Sequence, residues 1–326
     1  MILSRTPLRI SFFGGGTDLP EHFSRHGGAV LGTAIDKYVY LSVMRFPAEL
    51  FDYSIRVAYR KVECVSRVDD IEHAPVRELL RHCGIDSHIE INVTADLPSF
   101  SGLGTSSSFT VGLLKALHGY QGQHIGAERL ARDAIRIERD VLKEAVGCQD
   151  QTFAAYGGFN VIEFSGQDQI HVERVALPVP RREELDQSLM LFFTGITRRA
   201  THVEKDKVQN IQALSDNLCR MRAMVDEGFR ILTGGGSLAE FGVLLDRAWR
   251  EKRALSAGVS NAAIDTMYAT AMNAGALGGK LLGAGGGGFL LLYVPPERQA
   301  QVRDALSGFH QIHFSINAPG SSIIHS

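Results

Sequence analysis

The sequence predicts an α+β fold, in which strands and helices occur in separate runs along the chain. Several strand patterns come first, with no helical pattern between them. After Pro98 the apolar residues recur at helical spacing, and two helical patterns follow one another. A doubly wound sheet would alternate single strands with single helices, so this order of elements favours the α+β class.

Three strands are predicted before Pro98. Residues 8–13 form a largely apolar run that leads directly into three glycines. Residues 39–46 and 89–95 alternate apolar and polar side chains, which is the pattern of a strand with one buried face.

Two helices are predicted after Pro98. The first covers about residues 106–119, with an apolar face formed by Phe109, Leu113, Leu114 and Leu117. The second is expected to end at Gly147, and its apolar face comprises Leu130, Ala134, Ile137, Val141 and Ala145. A strand over residues 156–164 follows.

The second half is predicted to contain three helices and two short strands. The helices cover about residues 200–228, 238–255 and 261–274, and the strands cover 280–282 and 289–294. Before them, residues 177–185 contain two prolines and four charged residues. We therefore predict two domains, one over residues 1–180 and one over residues 181–326.

Composition excludes several classes of protein. A net charge of −2 over 326 residues argues against a broad electrostatic surface for nucleic acid or an anionic membrane. No apolar run reaches about 18 residues and the N-terminus has no apolar leader, so we expect no membrane span and no signal peptide. The four cysteines form no C-x-x-C pair. We expect a cytoplasmic protein with small-molecule partners, and the sequence leaves its oligomeric state, including a homodimer, open.

Glycine is the unusual residue of this chain. It makes up about 10% of the residues, against a usual value of roughly 7%. Thirteen of the 34 glycines fall at positions 14–16, at 102 and 104, and between 275 and 288. Glycine lets a backbone approach a ligand closely and adopt positive φ, so each cluster is a candidate binding surface.

The central glycine cluster is compatible with phosphate binding. It follows a predicted strand and opens a predicted helix, whose first amides and dipole would attract an anion. The hydroxyls of Thr105, Ser106 and Ser107 can bond to phosphate oxygens or to a metal ion. A capped helix after a glycine loop gives the same pattern, so both interpretations remain open here. No lysine follows Gly104, which excludes a Walker A loop.

The C-terminal cluster, residues 283–288, formally contains G-x-G-x-x-G. A dinucleotide site would need a helix after it, but residues 289–294 have the pattern of a strand, so we reject that interpretation. The cluster is either a glycine-rich hairpin or a surface that a ligand approaches closely.

The N-terminal cluster, residues 14–16, precedes Thr17 and Asp18 and could be a simple tight turn.

Taken together and in this order, the three clusters resemble the motifs of the GHMP small-molecule kinases. Residues 9–18 resemble the first motif, residues 98–108 resemble the second, P-x-x-x-G-L-G-[ST]-S, and residues 280–288 resemble the third, K-[LM]-x-G-A-G-G-G-G. The resemblance implies an ATP-dependent kinase with an N-terminal ribosomal-protein-S5-like lobe and a C-terminal α/β sandwich lobe. Nucleotide and acceptor would occupy the cleft between the lobes.

The resemblance assigns the nucleotide and metal sites. ATP phosphates would lie on the backbone of Gly102, Leu103, Gly104, Thr105, Ser106 and Ser107, supported by Gly285 and Gly286. Mg²⁺ would be held by Ser106 and Glu138, because it needs few protein oxygens beside its waters. From the residues alone, a solvated helix carboxylate that pairs with Arg136 or Arg139 is the favoured interpretation of Glu138.

The resemblance also assigns the reacting groups. Asp150 would orient or deprotonate the acceptor hydroxyl, although the local pattern also fits a helix cap. Arg9 would pair with Asp150 and stabilise charge on the phosphoryl group in transit, although a structural ion pair is the usual role of a strand arginine.

Within the family, residues 5–20 are similar to the heptose phosphate kinases, which phosphorylate O1 of D-glycero-D-manno-heptose 7-phosphate. The sugar would then contact Gly15, Gly16, Thr17 and Asp18. From the residues, Thr197 and Arg198, with Arg199 beside them, are candidates to hold a distal phosphate, and surface charges that open a helix would give the same pattern. Galactokinases carry Glu-His where Gly15 and Gly16 stand, which argues against galactose. A kinase for fucose or a uronic acid, and an inactive sugar-binding protein of this fold, remain the alternatives.

Overall fold

The fold is that of a computed structural model, which describes residues 1–99, 102–166, 169–196 and 213–326. The strands in chain order are β1 (Ile2–Phe13), β2 (Gly28–Arg45), β3 (Ile55–Ala58), β4 (Val62–Val65), β5 (Ile89–Ala95), β6 (Phe159–Ser165), β7 (Gln169–Arg174), β8 (Leu189–Phe193), β9 (Gly278–Leu281), β10 (Phe289–Tyr293), β11 (His310–Ile312) and β12 (Ser322–His325). They form two sheets with helices packed on them, which confirms the predicted α+β class. The expectation that no helix separates the first strands is wrong, because the helix Pro20–His26 lies between β1 and β2 and the helix Ala74–Cys83 lies between β4 and β5.

The helices are shorter than the predicted patterns at several ends. In chain order they are α1 (Pro20–His26), α2 (Ala74–Cys83), α3 (Thr105–Tyr120), α4 (Ala127–Arg136), α5 (Gln149–Tyr156), α6 (Val179–Gln187), α7 (Ser215–Thr233), α8 (Ala239–Arg253), α9 (Ala262–Asn273) and α10 (Gln299–Ala305). The predicted helix over 200–228 is observed only as α7, since residues 200–212 lie outside the described residues.

The first sheet is built around two long strands, β1 and β2. Its order is β12-β1-β2-β5-β3-β4, and β6 pairs with both β2 and β7. Only the β3–β5 pairing is parallel among the described strands. Helix α3 packs on β1 and β2, so the residues at its N-terminus lie beside Arg9 on β1.

The second sheet is antiparallel, in the order β11-β8-β10-β9. Strand β10 is buried along its whole length because β8 and β9 flank it on either side. Strands β9 and β10 pair with each other, so the C-terminal glycine cluster is the connection of a hairpin. The strand after the glycines confirms that this segment is no dinucleotide-binding turn.

The two sheets share one hydrophobic core. Phe241 on α8 contacts both Phe12 and Phe13 on β1, with ring centroids 5.2 and 5.0 Å apart in edge-to-face geometry. Lys280 on β9 donates a hydrogen bond of 2.8 Å to the carbonyl of Phe12. The end of β1 is therefore fixed by elements from the second half of the chain.

The predicted domain boundary at 180/181 falls inside α6. Strand β12 lies far beyond that boundary and yet pairs with β1. The residues after 181 therefore do not all belong to the second sheet, because the chain returns to the first sheet at 322–325. A division of the chain at 180/181 stays a prediction.

The predicted second helix is wrong over its last third. Helix α4 ends at Arg136, and a single π-helical turn over Ile137–Val141 follows it, closed by the bond from the Leu142 amide to the Ile137 carbonyl. Lys143 then adopts φ of 55°, a left-handed conformation that ends the helix. Val141, which was expected on the apolar face, is 48% exposed.

Candidate active site

The phosphate-binding candidate is the N-terminus of α3. Gly102 and Gly104 have φ of 83° and 78°, so both require glycine or strain. The first intrahelical bond runs from the Ser108 amide to Gly104. The amides of residues 105–107 thus lie at the helix start, where helix geometry leaves amides without an intrahelical acceptor. This end of α3 is suited to bind an anion.

The C-terminal glycine cluster packs directly against this loop. A Cβ on Gly102 would lie 2.5 Å from the carbonyl oxygen of Leu282, and a Cβ on Gly283 would lie 2.4 Å from the Cα of Gly102. The two loops therefore cross at a distance that only glycine permits. Gly285 lines the adjoining cavity, whereas Gly286 donates to the Val259 carbonyl instead.

Arg9 and Asp150 form a bidentate ion pair beside the glycine loop before α3, residues 102–104, which we call the phosphate loop because phosphate is its proposed ligand. Arg9 Nε donates to Asp150 Oδ1 at 2.8 Å, and Arg9 Nη2 donates to Oδ2 at 2.7 Å. Arg9 Nη1 also donates to the Gly102 carbonyl at 2.6 Å. The predicted contact between these two residues is confirmed, and Arg9 additionally ties the carboxylate to the glycine loop.

Asp150 is placed at the start of α5, where its carboxylate lies close to the phosphate loop. A Cβ on Gly104 would sit 3.4 Å from Asp150 Oδ2 and 3.2 Å from the Arg9 side chain. The side chain of Asp150 retains 25% of its exposure and lines the cavity. A partly exposed carboxylate at this point can meet a substrate hydroxyl directly.

Glu138 is a buried carboxylate behind the helix start. It is 1% exposed and accepts hydrogen bonds from Ser107 Oγ at 2.8 Å and from Gln151 Nε2. Burial raises the pKa of Glu138 to about 7, and the nearby Glu144 carboxylate adds to that rise. This side chain is not the solvated helix carboxylate that the residues alone favoured.

The donor atoms around Glu138 fit a hard cation. Among the described residues, Glu138 Oε1 and Gln151 Oε1 are buried oxygens without a hydrogen-bond partner, and Gln151 contacts Glu138 through its Nε2 atom. Oxygen ligands are those that Mg²⁺ prefers. Ser106, the other predicted ligand, is exposed and lines the cavity, while Ser107 makes the contact to Glu138. No group of three or more His, Cys, Asp or Glu side chains suited to a metal occurs in the described part of the chain.

The N-terminal glycine loop holds Asp18 in the wall of the same cavity. Asp18 Oδ1 accepts from the Gly16 amide at 2.9 Å, and Oδ2 accepts from the Gln149 amide at 3.2 Å. Asp18 is thereby fixed next to the segment that carries Asp150. Asp18, Gly15 and Gly16 all line the cavity, and their contact with an acceptor stays a prediction.

Thr17 does not reach that cavity. It is fully buried, and its hydroxyl donates to the carbonyls of Gly14 and Ala29 and accepts from the Ala29 amide. Its observed role is to fasten the loop to β2, so the geometry does not support the expected sugar contact. Thr197 and Arg198 lie outside the described residues.

Replacing Gly147 by alanine is expected to displace Asp18 without unfolding the protein. A Cβ on Gly147 would lie 1.9 Å from Asp18 Oδ2, so the carboxylate must rotate and release the Gln149 amide. We expect the KM for the acceptor to rise about tenfold or more, by loss of charge-assisted hydrogen bonds, with an unchanged KM for nucleotide. Gly308→Ala is the control, since no atom lies within 4 Å of its Cβ position. An unchanged acceptor KM in Gly147→Ala would contradict this role.

Residues of all three glycine clusters line one cleft. Its walls include the following residues: Arg9, Gly15, Gly16, Asp18, Gly102, Gly104, Thr105, Ser106, Ser107, Asp150, Gly283, Gly285 and Gly287. Two buried lysines also line it, Lys252 and Lys280, and Lys252 donates to the carbonyls of Leu281 and Gly283. Sequence reasoning missed Lys252, because a lysine near the end of an amphipathic helix usually faces solvent.

Comparison with known proteins identifies the family. The family profile of the GHMP kinases N terminal domain matches residues 73–158, and that of the GHMP kinases C terminal matches residues 227–311. The chain belongs to the GHMP kinase family, and with it the predicted two-lobed fold is confirmed. It is therefore a kinase, a phosphotransferase.

Several relatives are similar over nearly the whole chain. D-glycero-alpha-D-manno-heptose 7-phosphate kinase of Campylobacter jejuni is 30% identical, over 94% of this chain and 93% of its own length. L-fucokinase/L-fucose-1-P guanylyltransferase of Bacteroides fragilis is 27% identical, over 93% of this chain but 35% of its own length. The crystal structure of a D-glycero-D-manno-heptose 1-phosphate kinase from Bacteroides thetaiotaomicron superposes with a TM-score of 0.82 at 26% identity, covering 100% of both chains.

No helix in the described ranges combines the length and the apolar character needed to cross a membrane.

Proposed function

We propose that this kinase transfers the γ-phosphoryl group of ATP to the anomeric O1 of a sugar, with D-glycero-D-manno-heptose 7-phosphate as the first candidate acceptor. The observation that carries the proposal is the Arg9–Asp150 pair, which stands between the anion-binding helix start and the Asp18 loop in one cleft. Similarity to a heptose 7-phosphate kinase along nearly the full chain supports the choice of acceptor.

The residues divide the reaction between them. The backbone at the start of α3 holds the phosphates, and Asp18 orients the sugar through its hydroxyls. Asp150 accepts the proton of the O1 hydroxyl as O1 bonds to the γ-phosphorus, the bond from that phosphorus to the bridging oxygen breaks, and ADP leaves. Arg9 stabilises the charge that spreads over the phosphoryl oxygens.

Glu138 is proposed to hold Mg²⁺ together with a hydroxyl at the helix start, either Ser106 as predicted or Ser107, which it contacts. The ion would neutralise charge on the phosphates. The unpartnered oxygens around Glu138 support this assignment.

A kinase for an unphosphorylated sugar such as fucose is the second candidate, supported by the similarity to L-fucokinase/L-fucose-1-P guanylyltransferase. An inactive sugar-binding protein is disfavoured because Arg9, Ser106, Glu138 and Asp150 are all present. A panel of acceptors assayed for ADP release with ATP and Mg²⁺ tests these proposals. Turnover with heptose 7-phosphate supports the first, turnover only with free sugars supports the second, and no turnover with any sugar contradicts both.

Replacing Arg198 by alanine is expected to weaken binding of a phosphorylated acceptor. We propose, from the sequence, that Thr197 and Arg198 hold the distal phosphate, since an arginine offers two donors to a phosphate group. Loss of a charge-assisted pair should raise the KM for the sugar phosphate by about tenfold or more, while the KM for ATP stays unchanged. An unchanged KM for the sugar phosphate would show that its phosphate binds elsewhere.

A further inference from the structure

The three consecutive glycines at 14–16 are glycines for different reasons. Gly14 has φ of 81° and Gly16 has φ of 101°, a conformation in which a side chain is strained. A Cβ on Gly14 would also lie 1.9 Å from the Ala29 carbonyl oxygen. The backbone and its packing therefore require glycine at 14, and the backbone alone requires it at 16.

Neither requirement applies to Gly15. Its φ lies outside the left-handed region, and the closest atoms to a Cβ would be Ser11 Oγ at 3.5 Å and Gln149 Nε2 at 3.7 Å. Both distances are ordinary van der Waals contacts, so the fold can accommodate a side chain at this position. Such a side chain would extend into the cleft, because Gly15 lines it together with Asp18 and Asp150.

The space in front of Gly15 is bordered by polar groups. Ser11 is 8% exposed, and within the described ranges its hydroxyl has no hydrogen-bond partner. The Oε1 atom of Gln149 is likewise buried without a partner in the same part of the chain. Both residues line the cleft. Buried polar groups are normally paired, so these two are suited to a ligand that brings its own donors and acceptors.

We propose that Ser11 and Gln149 are specificity-determining residues for the acceptor, which reaches them through the space that the absence of a side chain at Gly15 leaves open. An acceptor hydroxyl that enters this space comes within reach of Ser11 Oγ and Gln149 Nε2. The acceptor is then a polyhydroxylated compound pressed closely against the loop backbone. This inference rests on the proposed function and adds to it the part of the cleft that selects the acceptor.

The test uses Gly15→Ala in the full-length protein, with the best acceptor of the wild type from the panel. We expect an acceptor KM raised about tenfold or more, because a methyl group both fills the space and blocks a hydrogen bond. The KM for ATP should stay within about twofold and the melting temperature within about 2 °C, since nothing clashes with the added Cβ. Gly235→Ala, where no atom lies within 4 Å of the Cβ position, is the control.

Ser11→Ala supplies a second, independent variant. Removing its hydroxyl should raise the acceptor KM by roughly fivefold, the value of one hydrogen bond, and leave the KM for ATP unchanged. An acceptor KM within about twofold of wild type in Gly15→Ala would overturn the inference, and so would a Gly15→Ala protein that fails to fold. A wild type that is inactive with all sugars refutes the proposed function itself, and the inference with it.

Discussion

Replacing Asp150 by asparagine is expected to lower turnover by roughly 10²–10⁴-fold while nucleotide binding is retained. The amide keeps the shape of the carboxylate and can still accept one bond from Arg9, but it cannot take up the proton of the acceptor hydroxyl. The phosphate loop is held through Arg9 Nη1 and the Gly102 carbonyl, a bond that does not involve Asp150. Steady-state ADP release and a nucleotide-binding titration measure the two quantities separately.

The matched control for this variant is Asp304→Asn, an exposed aspartate on α10. Turnover of Asp150→Asn within about threefold of wild type would show that Asp150 is neither base nor orienter. Loss of nucleotide binding together with turnover would instead assign the residue to the architecture of the loop.

Replacing Glu138 by glutamine is expected to abolish most activity and, without metal and nucleotide, to stabilise the fold at neutral pH. Turnover should fall on the order of 10²-fold, because an amide offers a cation no charge. Burial raises the pKa of Glu138 from 4.5 to about 7. The folded protein therefore binds more protons than the unfolded chain between these values, and its stability falls as pH rises through that window.

Glutamine does not titrate, so the difference in unfolding free energy between the two proteins isolates this contribution. It should be small near pH 4 and should favour the variant by on the order of 3 kcal/mol above pH 7. Urea unfolding across this range measures it, with the exposed Glu297→Gln as control. A difference that does not change with pH would show that burial does not raise the pKa of Glu138 above its value in the unfolded chain. Mg²⁺ with nucleotide should stabilise the wild type more than the variant.

The parts of the site predicted best from the sequence are those whose conformation is set by residues close to them in the chain. The phosphate loop is a short glycine segment followed at once by its helix, so the loop and the first helical residues are fixed by near neighbours in the chain. The partnership of Arg9 with Asp150 spans 141 positions, and only the resemblance to a family could suggest it.

What the sequence could not predict depends on packing. Residues 105–108 are all hydroxyl-bearing, so no apolar contrast reveals that Ser107 faces inward to Glu138 while Ser106 faces out. The π turn at Glu138 follows from a tertiary arrangement, in which Arg139 bonds to both Glu21 and the Val146 carbonyl. Thr17 was expected to contact the sugar, but its hydroxyl donates to the Ala29 carbonyl on β2. The sequence around Thr17 could not predict this burial, because β2 lies further along the chain.

With the nucleotide phosphates bound at the start of α3 as proposed, the crossing of Gly102 and Gly283 would make nucleotide affinity a property of the whole chain. One wall of the proposed phosphate site belongs to the loop before α3, and the wall behind it belongs to the hairpin of the second sheet. In a partially unfolded chain that keeps only the first sheet, the hairpin of the second sheet would no longer pack against the loop before α3. A bound nucleotide therefore selects against such states, so it should join the two sheets into one cooperative unit of unfolding.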